Sequence, residues 1–128
     1  MPIYFIAFVS HIALLYFSVK IPNKRVSFLL AVIAVLPLCL VAGLRDASVG
    51  TDTSAYPLRC FYASQYYSLT GAMGACSDQE PLFVILFWIL GRLTGDFHAV
   101  LFLCEAIVLL PYILVVRKLY PRGYPVVG

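Results

Sequence analysis

Two long runs near the start of the chain, Ile3 to Val19 and Val26 to Leu44, contain no Asp, Glu, Lys or Arg. Each is close to the ~20 residues a helix needs to cross the ~30 Å hydrocarbon core of a bilayer. A chain inside lipid must satisfy its own backbone hydrogen bonds, which leaves helix as the structure open to such runs. The link between them, Lys20-Ile21-Pro22-Asn23-Lys24-Arg25, is short, so the two spans form an antiparallel pair. Composition agrees: 62% of the 128 residues are hydrophobic and 12% charged, against about 25% charged in soluble domains. No basic n-region precedes the first run and no small-residue cleavage pattern follows it, so it reads as a retained span and not as a signal peptide.

The charges divide by position. Lys20, Lys24 and Arg25 form one basic cluster and Arg117, Lys118 and Arg122 another. Between them, residues 45–80 are net acidic, with Arg45 and Arg59 against Asp46, Asp52, Asp78 and Glu80. The positive-inside tendency places both basic clusters in the cytoplasm and the 45–80 loop outside. Neither cluster is long or interleaved with aromatics, so nucleic acid is not an expected partner.

Later in the chain the pattern forks. Phe97 to Val116 is long enough to span, with His98 and Glu105 inside it, but the apolar run from Pro81 stops at Gly91-Arg92. The expected fold is an all-α membrane protein with three full transmembrane helices plus a short re-entrant or interfacial helix over Pro81 to Leu93. Four transmembrane helices are the alternative, which would put Arg117 and Lys118 outside. Residues 1–128 then form a single polytopic membrane region with an extracytoplasmic loop at 45–80. Inside the spans, Pro37 predicts a kink because it removes a helical hydrogen bond. His11 is read as bonding across helices, with a cavity-lining role as the alternative. Glu105 is costly in lipid and needs a partner such as Arg92 or His11, a proton, or a role in handling substrate. In the loop, Thr53 to Leu69 predicts a short interfacial helix capped by Asp52 or Thr53, with Tyr56, Phe61, Tyr62 and Tyr66 along one face. An aromatic belt at headgroup level is favoured over sugar stacking.

Several chemistries are missing. There is no Cys-x-x-Cys, the two histidines are far apart, no Gly-x-Ser-x-Gly elbow exists, and the Gly50 region lacks the ending of a phosphate-binding loop. Neither a metal nor a cofactor is expected. The carboxylates Asp46, Asp52, Asp78 and Glu80 remain, beside Arg45 and Arg59. Such a set supplies a general base for glycosyl transfer and a planar guanidinium for phosphate. The competing account is solvated loop charges or salt bridges, which is favoured for Asp78. Cys39 and Cys104 are small apolar side chains in spans. Cys60 and Cys76 in the loop pair if that loop faces an oxidising compartment, and otherwise stay free.

Ala42-Gly43-Leu44-Arg45-Asp46, followed by Val49-Gly50-Thr51-Asp52-Thr53 and Tyr56, resembles the signature near the start of EpsG-family proteins. Glu80-Pro81-Leu82-Phe83 is similar to the family's acid before an apolar half-helix, and Arg117 to Tyr120 to its basic, tyrosine-containing turn. These are membrane proteins of exopolysaccharide, capsule and O-antigen assembly, related in role to Wzy-type polymerases. The resemblance implies a multi-pass enzyme of the bacterial inner (cytoplasmic) membrane. Its expected partners are membrane lipid, an oligosaccharide linked to polyprenyl pyrophosphate, and other polysaccharide assembly proteins. It would join such oligosaccharides on the outer face as a glycosyltransferase. On that reading Arg45 holds phosphate, Asp46 or Asp52 is base or positioning group, and Glu80 joins the catalytic acids. Gly50 and Thr51 shape the substrate site and Tyr56 packs or stacks on sugar. Family members run longer, with more spans, so the sequence reads as the N-terminal part of a longer protein. A non-catalytic membrane subunit or an inactive fragment is the second hypothesis, and a transporter a weaker third, since no internal repeat is visible.

Overall fold

The computed structural model describes residues 2–46, 48 and 51–119, with backbone alone at 51, 52, 116 and 119. All the elements among them are helices: α1 (Pro2–Lys20), α2 (Lys24–Ile33), α3 (Leu36–Gly43), α4 (Thr51–Ala55), α5 (Pro57–Tyr66), α6 (Leu69–Ala75), α7 (Pro81–Thr94) and α8 (Phe97–Leu119). Three stretches are long and apolar enough to cross a membrane: α1, α2 with α3 (Lys24–Gly43), and Phe97–Val115 of α8. With 14 residues, α7 is roughly 21 Å long at 1.5 Å per residue, short of the hydrocarbon core. The all-α expectation of three spans plus one short apolar helix is borne out.

The chain forms two compact units, one drawn from its two ends, up to Val41 and from Glu105, and one from Ala42–Cys104. In the first, α1 is apolar on every side, with Phe5 70% and Ile6 61% exposed, the pattern of a helix whose surroundings are lipid. The link to α2 is closed by Asn23, whose Oδ1 accepts from Arg25 N at 3.0 Å and Val26 N at 3.4 Å. The break expected from Pro37 falls just before it, at Ala34 and Val35, between α2 and α3. Leu38 N turns to Val35 O, 3.2 Å, which releases the Ala34 carbonyl from its helical partner. His11 takes its place, with Nδ1 2.6 Å from Ala34 O. The cross-helix reading of His11 therefore stands, and its partner is a backbone group freed at the break that precedes Pro37.

The far end of α8 fixes the topology. Arg117 donates to Ser27 O (3.1 Å), Ser27 Oγ (2.9 Å) and Ser18 Oγ (3.5 Å), and Ser27 Oγ donates to Ser18 O at 2.5 Å. The C-terminal turn of α8 thus meets the α1–α2 link, and Arg117 and Lys118 share an end with Lys20, Lys24 and Arg25. In the second unit, the last turn of α3 meets the first turns of α8: a Cβ on Gly43 would lie 2.9 Å from Phe102 Cβ and 3.2 Å from His98 O. The segment α4–α7 accordingly returns to the end it left, which excludes a fourth full span.

The core of this second unit is Phe61, Val84, Phe87, Leu90, Phe97 and Val100 with their neighbours. Helices α5 and α7 pack closely at Gly91, where a Cβ would fall 3.0 Å from Ser64 Cβ. There Gln65 Nε2 donates to Gly91 O at 2.9 Å. Arg92 and Trp88 of α7 satisfy the carbonyls at the end of α5: Arg92 Nε donates to Ser64 O (2.7 Å), Arg92 Nη2 to Tyr67 O (3.0 Å) and Trp88 Nε1 to Tyr67 O (3.1 Å). Those carbonyls have no partner within their own helix and attract a cation. Arg92 is therefore engaged by the backbone carbonyls that end α5. Gly95, at φ 64°, ends α7 in the left-handed region that glycine enters freely. Asp96 then caps α8, accepting from Ala99 N at 2.7 Å.

Two expectations for the loop need correction. A single helix over Thr53 to Leu69 is replaced by α4, α5 and the start of α6. Pro57 has no N–H with which to continue α4, and it stands as the first residue of α5, so the chain restarts there. Because α4 begins at Thr51, Asp52 and Thr53 lie inside a helix and not at its cap. The aromatic face also splits: Phe61 is buried against Phe97, ring centroids 5.6 Å apart, while Tyr56, Tyr62, Tyr66 and Tyr67 are exposed.

Candidate functional site

The polar groups that meet closest to a membrane end are those after α3. Helix α3 ends at Gly43, and its terminal carbonyl needs a donor. His98, in the first turn of α8, supplies it with Nδ1 2.7 Å from Gly43 O. A carbonyl only accepts, so Nδ1 carries the proton, and in the neutral ring Nε2 is left as an acceptor. Two residues beyond Gly43, Arg45 is half-buried, and its Nε is enclosed with no hydrogen-bond partner among the described residues. Asp46 accepts from Ser48 N at 2.7 Å and from Ser48 Oγ at 2.5 Å. These Ser48 bonds, with a smaller pull from His98, hold its carboxyl below the usual carboxylate range. An acid held ionised thus lies at the junction of α3 and α8 with an imidazole whose Nε2, and an arginine whose Nε, have no hydrogen bond among the described residues.

The other residues singled out from the sequence are placed differently. Glu80 stands at the N-cap of α7, exposed, and its side chain makes no cap hydrogen bond. Tyr56 is exposed ahead of α5. Among the described residues no hydrogen bond or ion pair joins either of them to Arg45 or Asp46. Gly50, and the side chains of Thr51 and Asp52, lie outside the described residues. Asp78 pairs with Arg59, the two side chains 51% and 42% exposed; Gln79 and then Arg59 hold its carboxyl down. Partial desolvation opposes charge on Arg59, yet Asp78 leaves it raised above its ordinary value. Arg59 also borders an open groove of about 550 Å³ lined by Leu58, Tyr62, Tyr66 and Tyr67. Glu105 is half-buried in α8, and among the described residues no hydrogen bond or ion pair joins it to His11, whose Nδ1 meets Ala34 O. No group of three or more His, Cys, Asp or Glu among the described residues is arranged for a metal.

His98 is the residue that sequence reasoning missed. Its place in an apolar run marked it as part of a span, and the contact that gives it meaning joins residues 55 apart in the chain. The one available signal was local: Asp96 is a cap residue, so His98 falls in a first helical turn at a membrane end.

A family model described as the EpsG family matches residues 28–127. The chain belongs to the EpsG family. Arg45, Asp46, Glu80 and His98 all lie inside the matched region. No curated protein and no solved structure matches the chain. EpsG membership, together with three helices apolar enough to span a bilayer, makes this a membrane protein of surface polysaccharide biosynthesis.

Proposed function

We propose that this EpsG protein takes part in glycosyl transfer between oligosaccharides linked to polyprenyl pyrophosphate, at the outer face of the bacterial inner membrane, alongside other polysaccharide assembly proteins. The observation that carries the reading is the enclosed Arg45 Nε with no partner among the described residues. A half-buried guanidinium donor without an acceptor costs free energy unless a ligand supplies one, and a phosphate matches its fork. In the reaction, the acceptor hydroxyl oxygen bonds to the anomeric carbon while the bond from that carbon to the pyrophosphate breaks. Arg45 stabilises the negative charge gathering on the departing pyrophosphate. The hydroxyl proton goes to a base within reach, for which His98 Nε2 and the Asp46 carboxylate are the candidates.

The test is complementation of a strain lacking its own copy, with polysaccharide chain length read on gels. Arg45→Ala and His98→Phe should each shorten or abolish the polymer, and Arg45→Lys should restore little, because a lysine cannot make the bidentate contact. Trp88 emission confirms that each variant is folded. Full-length polymer from folded Arg45→Ala removes the assignment.

A further inference from the structure

Cys60 lies on α5 and Cys76 closes the C-terminus of α6. They are 1% and 0% exposed, belong to one buried cluster and stand there as free thiols, with Cys76 close enough to raise the Cys60 thiol. Nothing in the site at the α3–α8 junction uses them. The hydrogen bonds of Arg117 gather both described basic clusters at one end of the spans, so the α4–α7 segment, which leaves and re-enters at the other end, faces the cell exterior by the positive-inside tendency. Thiols in that compartment meet oxidants, whereas cytosolic thiols are kept reduced.

We infer that Cys60 and Cys76 are joined in the mature protein as a structural disulfide that ties α5 to α6. The oxidant is the disulfide of an extracytoplasmic thiol–disulfide oxidoreductase. One cysteine, as thiolate, attacks a sulfur of that disulfide, forming a mixed disulfide and releasing one oxidoreductase thiolate. The second cysteine then attacks the mixed disulfide, the intramolecular S–S bond forms, and the other oxidoreductase sulfur leaves. Both electrons and both thiol protons end on the oxidoreductase dithiol. Timing follows from burial, which together with Cys76 pushes the Cys60 thiol up to about 12. So little of it is thiolate in the folded unit that exchange is slow, and the bond forms before α5 and α6 close over it. Once the bond is enclosed, burial slows the approach of a reductant to it.

The experiment uses the unaltered protein. Cells are quenched in acid, thiols are alkylated under denaturing conditions with and without prior reductant, and peptides are weighed. Without reductant, Cys39 and Cys104 should carry label while Cys60 and Cys76 remain linked; with reductant, all four should be labelled. Reduction of the purified protein should lower the thermal midpoint of Trp88 fluorescence by roughly 10–20 °C, as expected for release of a short closed loop. Full labelling of Cys60 and Cys76 without reductant overturns the inference. Labelling of Ser77→Cys by a membrane-impermeant maleimide on intact cells then shows whether orientation was the faulty step. The inference is independent of the proposed glycosyl transfer, so either survives failure of the other.

Discussion

Replacing Gly91 with alanine adds one methyl group at the tightest helix contact of the 42–104 unit. That methyl would sit 3.0 Å from Ser64 Cβ and 3.3 Å from Gln65 Nε2, and closer still to Ser64 Oγ. The hydroxyl has little freedom to move away, because it donates to Phe61 O at 2.6 Å. Relief therefore means separating α5 from α7. Overpacking of this kind costs about 1–3 kcal/mol, and the Gln65 bond to Gly91 O, lost as the helices part, adds about 1 kcal/mol. The sum, about 2–4 kcal/mol, corresponds to a fall in melting temperature of roughly 10 °C or more in a unit this small. Trp88 is the chain's single tryptophan, and it bonds to Tyr67 O across this same interface, so its emission in detergent reports the transition directly. Adding Ser64→Ala to Gly91→Ala should recover about half the loss, since it removes the closest clashing atom but also the Phe61 bond. Gly74→Ala, with nothing within 4 Å of the added carbon, should leave the midpoint unchanged or slightly raised. If Gly91→Ala melts with the parent protein, the close approach of α5 and α7 is wrong.

Two more expectations follow from hydrogen bonds with an identified cause. His11→Leu strands the Ala34 carbonyl and should cost about 1–3 kcal/mol. In a Pro37→Ala background, where Leu38 N can return to Ala34 O, the same change should cost much less; equal costs in the two backgrounds, measured by denaturant titration, would refute the link between proline and histidine. Asp46, held below its ordinary value of 3.8 by Ser48, contributes stability that is complete above that ordinary value and lost as pH falls through the lowered one. The Ser48 amide resonance should titrate with a midpoint under 3.8, return toward it in Ser48→Ala, and stay flat in Asp46→Asn.

The spans were legible because lipid imposes a simple demand: length without charge forces helix. The two basic clusters added orientation, and Pro37 announced a break, though the exact turn depended on which carbonyl lost its donor. The loop was harder. Alternating aromatics were read as one helical face, but Pro57 interrupts the helix and Phe61 turns inward to Phe97, a partner 36 residues away that no local pattern reveals. The site divided along the same line. Arg45 and Asp46 stood out as costly charges at the end of a span, whereas His98 gains its role from packing between α3 and α8. Arg92 is a further case: its charge alone did not show that it serves the open carbonyls of α5.

The seat of Arg117 also sets an order of events in biosynthesis. Its partners Ser18 and Ser27 precede it by 99 and 90 residues, so at ribosomal speeds of 5–20 residues per second the N-terminal hairpin waits roughly 5–20 s for the guanidinium that locks it. During that interval the hairpin's own bonds hold it, His11 to Ala34 O, Ser18 Oγ to Leu15 O and Ser27 Oγ to Ser18 O. Insertion is therefore not complete when the first two spans are in the bilayer. A nascent chain halted short of residue 117 would carry an unlocked hairpin, open to the proteases and insertases that survey half-made membrane proteins.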